Sequence, residues 1–460
     1  MTTLAEQAAV EGEEPGRPRP DLGDPSFWRL PHAERLRAFA LLRQWEAPQY
    51  FVERERGRGR RERGFHALVR HADVVEASRN PEVFASAPGA TTPEPARWVR
   101  ALFGDSLVNL DGPRHAQLRR IVSRSFTPRI LGRTEEDIRA VAARIVDDVL
   151  AADGGRGAGS TGAGGAGAGG GALGDRAGDF VTAVASRMPF EVICNLMGIP
   201  EAERPAILGQ VNRASGDTGV ARAARDRFRM PGKGLRALAS MQGMVADLGR
   251  ERRKNPTDDL VSMLVSADID GQSLTGRELG AFFSLLMVAG VETTRNAIAH
   301  GLDLLTRHPE QRALLVADFD RYADGATEEI VRHSTPIIQF RRTLTRDHRM
   351  NGHAFRKGDK VVLFYASANR DEAVFTDPDA FDITRSPNPH VGYGGGGPHY
   401  CLGTYLAKQE MKALFRELLT RAPDLRATGA PVLVPSNFDN RVRSMPYAIA
   451  EGGDGKAGNG

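Results

Sequence analysis

Gly392-Tyr393-Gly394-Gly395-Gly396-Gly397-Pro398-His399-Tyr400-Cys401-Leu402-Gly403 is the stretch whose reading decides the fold. Four consecutive glycines let backbone pass close to a flat, bulky object. Pro398 stiffens the approach to the cysteine, and Thr404 to Arg421 reads as a helix. Cys401 thus stands just ahead of a helix N-terminus, where backbone N–H groups lower a thiol pKa and stabilise negative charge. A flexible approach, a thiolate and a helix behind it suit an axial metal ligand on a macrocycle. On haem iron such a thiolate pushes electron density toward O–O cleavage. The stretch alone also fits a glycine linker beside a core cysteine.

Upstream, residues 277–307 predict a long helix, apolar nearly all round for three turns, which must run through the core. Ala289 and Gly290 leave space on one face, and Glu292-Thr293-Thr294 come next. A threonine hydroxyl bonds the carbonyl four residues back or a ligand. A buried Glu292 needs a partner or a wet channel. Glu329 and Arg332 stand three apart on a further helix and can pair. Arg385 ends the run Phe381-Asp382-Ile383-Thr384-Arg385. His115 and Arg119, four apart behind Asp111-Gly112-Pro113, share one helix face and can clamp one carboxylate. Each feature singly has an ordinary explanation, as a surface pair or a packed, salt-bridged turn.

Composition bounds the class. Hydrophobic residues at 41% and charged residues at 26% are those of a globular protein with room for a buried cofactor. Only Cys194 and Cys401 are present, which excludes a disulfide framework and fits a reducing, cytoplasmic setting. Cys194, amid apolar neighbours in 180–197, reads as core. No apolar run of about eighteen residues predicts a membrane span. A net charge of +4 is too mild to argue for nucleic acid, and Arg54 to Arg63 reads as a solvated hairpin tip. Residues 1–25 and 449–460 read as disordered tails. The Gly/Ala run at about 153–174 reads as a surface-loop insertion in a single domain spanning 26–448. Gly216, Gly219 and Pro231-Gly232-Lys233-Gly234 suggest a mobile helical lid.

In their order, these motifs resemble a bacterial cytochrome P450, the thiolate-haem monooxygenase family, from roughly Leu30 to Tyr447. Three stretches resemble the subgroup that oxidises steroids and branched lipids: Ala267-Asp268-Ile269-Asp270-Gly271, Ala289 to Asn296, and Asn388-Pro389-His390-Val391-Gly392. The resemblance implies a mainly α fold with small β-sheets (α+β). Haem b would lie between the long central helix and the Cys-bearing loop. By position, Cys401 is the axial thiolate, beside Gly403. His115, Arg119, Arg342 and His399 match positions that bind haem propionates, where Arg suits bidentate contact. Glu329, Arg332 and Arg385 match the structural Glu-Arg-Arg network. Glu292 and Thr293 match the acid–alcohol pair, and Ala289 and Gly290 sit where that helix opens over the iron. One departure is that the family's aromatic seven residues before the cysteine falls one earlier, at Tyr393 instead of Gly394.

The resemblance further implies activation of O₂ with two externally supplied electrons and hydroxylation of a lipophilic substrate, a steroid or terpenoid being favoured. Thr293 would hold the distal oxygen and a water, and Glu292 would relay protons. The loop from Pro88 to Leu107, with Leu286, Ala289, Ile337, Ile338 and Phe438, would line the pocket. Electrons would come from a ferredoxin and its reductase, met by a basic face of Arg119, Arg120, Arg124, Lys408 and Lys412. A peroxide-using or oxidative-coupling member, and a haem-binding sensor without turnover, are the rival readings. The acid–alcohol pair favours O₂ chemistry.

Overall fold

The structure, a computed structural model, describes residues 20–53, 64–91, 106–125, 128–151, 176–216, 232–267 and 274–450. The expected hairpin tip, the Gly/Ala insertion, the Ala267–Gly271 run beyond its first residue and most of the Pro88–Leu107 loop lie outside these residues, as does the lid beyond Gly216 and Gly232. The expected tails are corrected at their inner ends. Leu22 is buried and its carbonyl accepts from the Trp28 indole at 3.2 Å, while Ile449 belongs to a paired strand.

The chain begins with α1 (His32–Arg43), β1 (Gln49–Val52), β2 (Gly64–Leu68), α2 (His71–Arg79) and β3 (Phe84–Ala85). Next come α3 (Gly112–Ser125), α4 (Pro128–Ala151), β4 (Arg176–Asp179), a π-turn over Val181–Ala185, α5 (Arg187–Met197) and α6 (Arg204–Gly216). The middle holds α7 (Gly232–Lys254), α8 (Leu260–Ser266), α9 (Gly276–Arg307), α10 (Pro309–Ala317) and α11 (Phe319–Ser334). Then come β5 (Gln339–Leu344), β6 (His348–Met350), β7 (His353–Phe355), β8 (Lys360–Phe364), α12 (Tyr365–Ala368) and α13 (Thr404–Arg421), with β9 (Arg426–Ala427), β10 (Val432–Leu433), β11 (Val442–Ser444) and β12 (Pro446–Ile449) at the end. The expected α+β architecture is present.

The longest element, α9, starts at a capping box. Thr275 accepts from the Glu278 N–H at 3.2 Å, and Glu278 accepts from the Thr275 N–H at 3.0 Å. Two orphan donors are satisfied reciprocally, so the helix begins where the apolar run begins. Its two halves feed two cores. Leu279, Phe283, Met287 and Val291 pack with α5, α7 and α8, while Ile298, Leu302 and Leu305 pack with α4, α11 and α13. The helix thus threads the molecule, as its all-round apolarity requires.

The main sheet has strand order β1-β2-β8-β5-β3, with β2 and β8 parallel and the other pairs antiparallel. It supports α1 through an aromatic cluster of Trp28, Phe39 and Phe364. Residues 348–355 form the hairpin β6–β7. Asn351 and Gly352 form its turn with φ of 46° and 72°, the left-handed pair that such a tight turn demands. Periodicity missed β4, whose four residues Arg-Ala-Gly-Asp lack any strand pattern. It forms because β12 offers it a partner.

Candidate active site

The glycine loop lies against α2. At Gly397 φ is +75°, and a Cβ there would meet the Ser78 carbonyl oxygen at 2.2 Å; at Gly395 it would meet Ser78 Oγ at 2.6 Å. At these positions the glycines admit a protein helix, not the flat ligand expected from sequence. That packing fixes the end of the loop and so the place of Cys401, whose N–H donates to the Tyr393 carbonyl at 3.0 Å.

Cys401 is accessible, yet deep enough for burial to dominate its ionisation. Both observations hold for a thiol ringed by protein and open on one side. Burial raises its pKa. The N–H groups of Gly403 and Thr404, the Thr404 hydroxyl and the Arg119 guanidinium pull the other way without prevailing. The helix N-terminus alone therefore does not deliver the low thiol pKa expected from sequence. A cation bonded to the sulfur would reverse that balance. Cys194 is buried and pushed up to about 12 by burial, as a core thiol should be.

Beside the thiol, α3 meets the Cys loop. The rings of His115 and His399 lie 4.3 Å apart, and Arg119 Nη2 donates to the Tyr400 carbonyl at 2.7 Å. His399 Nε2 is within reach of Ser86 Oγ (3.1 Å) and Asp111 Oδ1 (3.2 Å). The Asp111 carboxylate also accepts the N–H groups of Ser86 and Ala87, so it pins the segment after β3 to this ring. Ser86 and Asp111 were not read from sequence as site residues; Asp111 showed only as a helix-opening signal. Burial, then His399 and Arg119, depress His115 to about 4, which leaves it neutral near pH 7. Its Nε2 is buried with no hydrogen-bond partner among the described residues. Arg342 comes from β5, is buried, and donates to the Arg341 carbonyl at 2.8 Å.

Behind the loop, Glu329 and Arg332 are fully buried and paired by two bonds of 2.7 Å. Arg385 joins at 3.3 Å, and Glu329 also accepts from Asn388 (3.0 Å) and the Asp382 N–H (3.0 Å). Arg332 donates to the carbonyls of Asn369, Pro378 and Ala380. Every one of these carbonyls lies on the irregular run before the glycine loop, so the pair functions as a backbone organiser. Two fully buried ions need such complete satisfaction to be tolerated.

On α9, Ala289 is exposed and Thr293 half-buried, while Met287 and Val291 between and beside them are buried. The open stripe at i and i+4 is therefore one face of a core helix. Thr293 Oγ1 donates to the Ala289 carbonyl at 2.5 Å. Gly290 does not share that face. A Cβ there would lie 2.7 Å from Ile193 Cδ1, so the missing side chain of this glycine admits α5. Glu292 points elsewhere again, with Oε2 at 3.2 Å from Arg295 and 3.5 Å from Arg441. Arg441 in turn holds Asp439 at 2.7 Å.

Leu286 and Leu402 pack in the same apolar cluster, which brings the open face of α9 and the Cys loop into one region. Leu107 joins that cluster. Phe438 packs edge-on to Phe340 at 5.5 Å, and Ile337 bridges to Asp439. Ile338 turns the other way, into the cluster of Trp28, Phe39 and Phe364, and leaves the expected pocket lining. Tyr393 packs against the main core, with its buried hydroxyl lacking a partner among the described residues.

An accessible thiol before a helix, a basic, histidine-lined wall beside it and a core helix with an open small-residue stripe are the parts of a cysteine-ligated site. The comparisons name the class more closely. The family model for "Cytochrome P450" matches residues 237–421. A methyl-branched lipid omega-hydroxylase of Mycobacterium tuberculosis is 41% identical over 93% of this chain and 94% of its own. A steroid C26-monooxygenase of Mycolicibacterium smegmatis is 37% identical over 93% of this chain and 92% of its own. A cytochrome P450 of Mycobacterium marinum, solved in complex with pseudoionone, superposes with a TM-score of 0.81 at 38% identity, covering 94% of this chain and 99% of that one. The chain belongs to the cytochrome P450 family and is a P450 monooxygenase, a family whose cofactor is haem b.

The residues present fit that cofactor. An orphaned His115 Nε2 in a wall with Arg119 and His399 suits a carboxylate, and the exposed Ala289 and accessible Cys401 suit the two faces of a flat ring. Among the described residues, no helix is long and apolar enough to cross a membrane.

Proposed function

We propose that this monooxygenase hydroxylates the branched aliphatic end of a lipid, such as a steroid side chain or a methyl-branched terpenoid or fatty chain. The observation that carries this reading is the open stripe of Ala289 and Thr293 on an otherwise buried apolar helix, whose Leu286 packs in the same apolar cluster as Leu402 of the Cys loop. Apolar lining orients an aliphatic chain and excludes water, and a single alcohol places one polar group where it is needed. The named activities of the two curated relatives support the same class.

When bound, haem b would supply the O₂ chemistry, and a thiolate on its iron would supply electron density that favours O–O cleavage. Cys401 would be its ligand. His115, Arg119, Arg342 and His399 would hold its carboxylates, Arg119 bridging them to the loop through the Tyr400 carbonyl. Thr293 Oγ1 carries the one hydroxyl on the open face. Its proton is parked on the Ala289 carbonyl and is released by a rotation about χ1. Glu292 lies one residue away, between Arg295 and Arg441, and would pass protons from the Asp439 side toward Thr293.

Two externally supplied electrons would come from an acidic ferredoxin. Arg120 and Arg124 are exposed on α3 and support a docking face there. Lys408 and Lys412 contribute less than expected from sequence, being paired with Glu328 (2.5 Å) and Asp324 (3.0 Å). The reading is tested by titrating haem-loaded protein with steroids, methyl-branched acids and terpenoids. Displacement of the axial water should appear in the absorption spectrum for branched lipids, and turnover with ferredoxin and reductase should give a mono-hydroxylated product. Binding restricted to polar aromatic compounds would overturn the substrate class.

A further inference from the structure

His32, in the first turn of α1, feels the charges of His300 and Arg307 on α9 and of Arg370 just after α12. Arg35, only 7% exposed, has a buried Nε with no hydrogen-bond partner among the described residues, and its Nη2 reaches the His32 ring at 3.5 Å. The other two guanidinium groups of the region are neutralised. Arg307 holds Asp303 at 2.7 Å, and Arg370 holds Asp379 at 3.2 Å. No carboxylate contributes to the electrostatics of Arg35, which is governed by burial alone. Arg35 is thus the arginine of the three without a carboxylate among the described residues, and the His32 ring is the group beside it. Burial first, and then the charges of Arg370, Arg35, His300 and Arg307, push His32 down to about 3 and hold it neutral. The first turn of α1 has no side-chain cap. Pro31 receives the Glu34 and Arg35 N–H groups, so those of His32 and Ala33 are available.

A buried guanidinium without a counter-ion is strongly unfavourable, because desolvation is not offset by a partner. Here it coincides with a helix N-terminus, whose N–H groups and dipole favour an anion. We propose that the start of α1 is a binding site for a small tetrahedral oxyanion such as phosphate, held by the Arg35 guanidinium, the His32 ring and the free N–H groups of the first turn. His32 is half-buried and Ala33 and Glu34 are exposed, which gives the anion a route in from solvent. The bound anion would tie α1 to the end of α9.

The test is thermal unfolding of full-length, haem-loaded protein in inorganic phosphate against sodium chloride of equal ionic strength, with calorimetric titration of phosphate. Phosphate should raise the Tm of the native chain beyond the chloride control. Arg35→Gln should weaken phosphate binding about tenfold or more, while Arg37→Gln, exposed on the same helix, should not. In phosphate-free buffer Arg35→Met should unfold at a higher temperature than the native chain, and phosphate should narrow or invert that gap. No phosphate-specific shift, or an equal shift in Arg35→Gln, would overturn the proposal. If Arg35→Met does not fold, Arg35→Lys carries the test, and it too should bind phosphate more weakly than the native chain.

Discussion

Glu292 Oε2 lies 3.5 Å from Arg441 Nε, a contact between the middle of the central helix and the turn that closes the C-terminal strands. Arg441 also grips Asp439, whose neighbour Phe438 accepts the Ile338 N–H through its carbonyl and packs on Phe340. The acid of the acid–alcohol pair is thereby mechanically joined to a proposed pocket wall. Arg441→Gln should lower the fraction of electrons recovered in product, and Arg441→Lys should restore part of it. Combined with Glu292→Gln, the two changes should be non-additive, since each removes the same contact. Additive effects on both coupling and unfolding free energy would separate the residues.

Thr293 presents the one hydroxyl on the open stripe. Thr293→Ala should consume electrons at a rate near that of the native enzyme while product falls roughly tenfold or more, within the range for a lost proton-positioning group. Thr293→Ser keeps the hydroxyl and should keep most of the coupling. Product and peroxide measured against electron donor consumed decide it; native coupling in the alanine variant would remove Thr293 from the mechanism.

Glu329→Gln or Arg332→Met leaves one buried ion without its partner. Either should destabilise the fold by about 3–5 kcal/mol, read as a lower urea midpoint, with poor cofactor retention. The damage should be local to the 369–401 backbone. Hydrogen exchange there should accelerate more than in the α1–β1–β2 region.

Glu410 is fully buried on α13, and burial raises its pKa to about 8. The unfolded carboxyl titrates near 4.5. Below about pH 4.5 both states hold the proton and the group is neutral in its effect. Between about 4.5 and 8 the unfolded chain ionises first, so stability falls as pH rises, by up to about 1.4 kcal/mol per pH unit. Glu410→Gln should flatten that slope and gain stability on the native chain at alkaline pH. Unfolding midpoints measured from pH 5 to 9 that show parallel curves would count against it.

Cys401→Ser should abolish the thiolate signature in the reduced, CO-bound absorption spectrum, while Cys194→Ala should retain it. Loss of that signature in the Cys194 variant, with the fold intact by circular dichroism, would reverse the assignment.

Several of these residues were legible because their cause is local. The period of 277–307 marked a buried helix, and the three- and four-residue spacings put Glu329 with Arg332 and His115 with Arg119 on shared faces. Where the sequence misled, a neighbour from far along the chain was responsible. The glycine run reads as a bed for a flat ring, but Ser78 is what presses on it. Ile338 reads as a twin of Ile337, but strand alternation sends it into the opposite core. Ser86 and Arg441 carried no motif and Asp111 only a helix-opening signal, and their roles exist only because the fold delivers them to His399 and Glu292.

The sequence by itself determined the kind of protein: a cysteine just before a helix, an acid–alcohol pair in a core helix, and a Glu-Arg-Arg set in a fixed order. These are chemical types at local spacings, and helix geometry turns spacing into a shared face. Only the tertiary structure decided the charge on that cysteine, the partners of Glu292 and the direction of each small residue. Those depend on burial and on contacts across hundreds of positions, where desolvation outweighs the helix dipole and a distant side chain claims the space a glycine leaves.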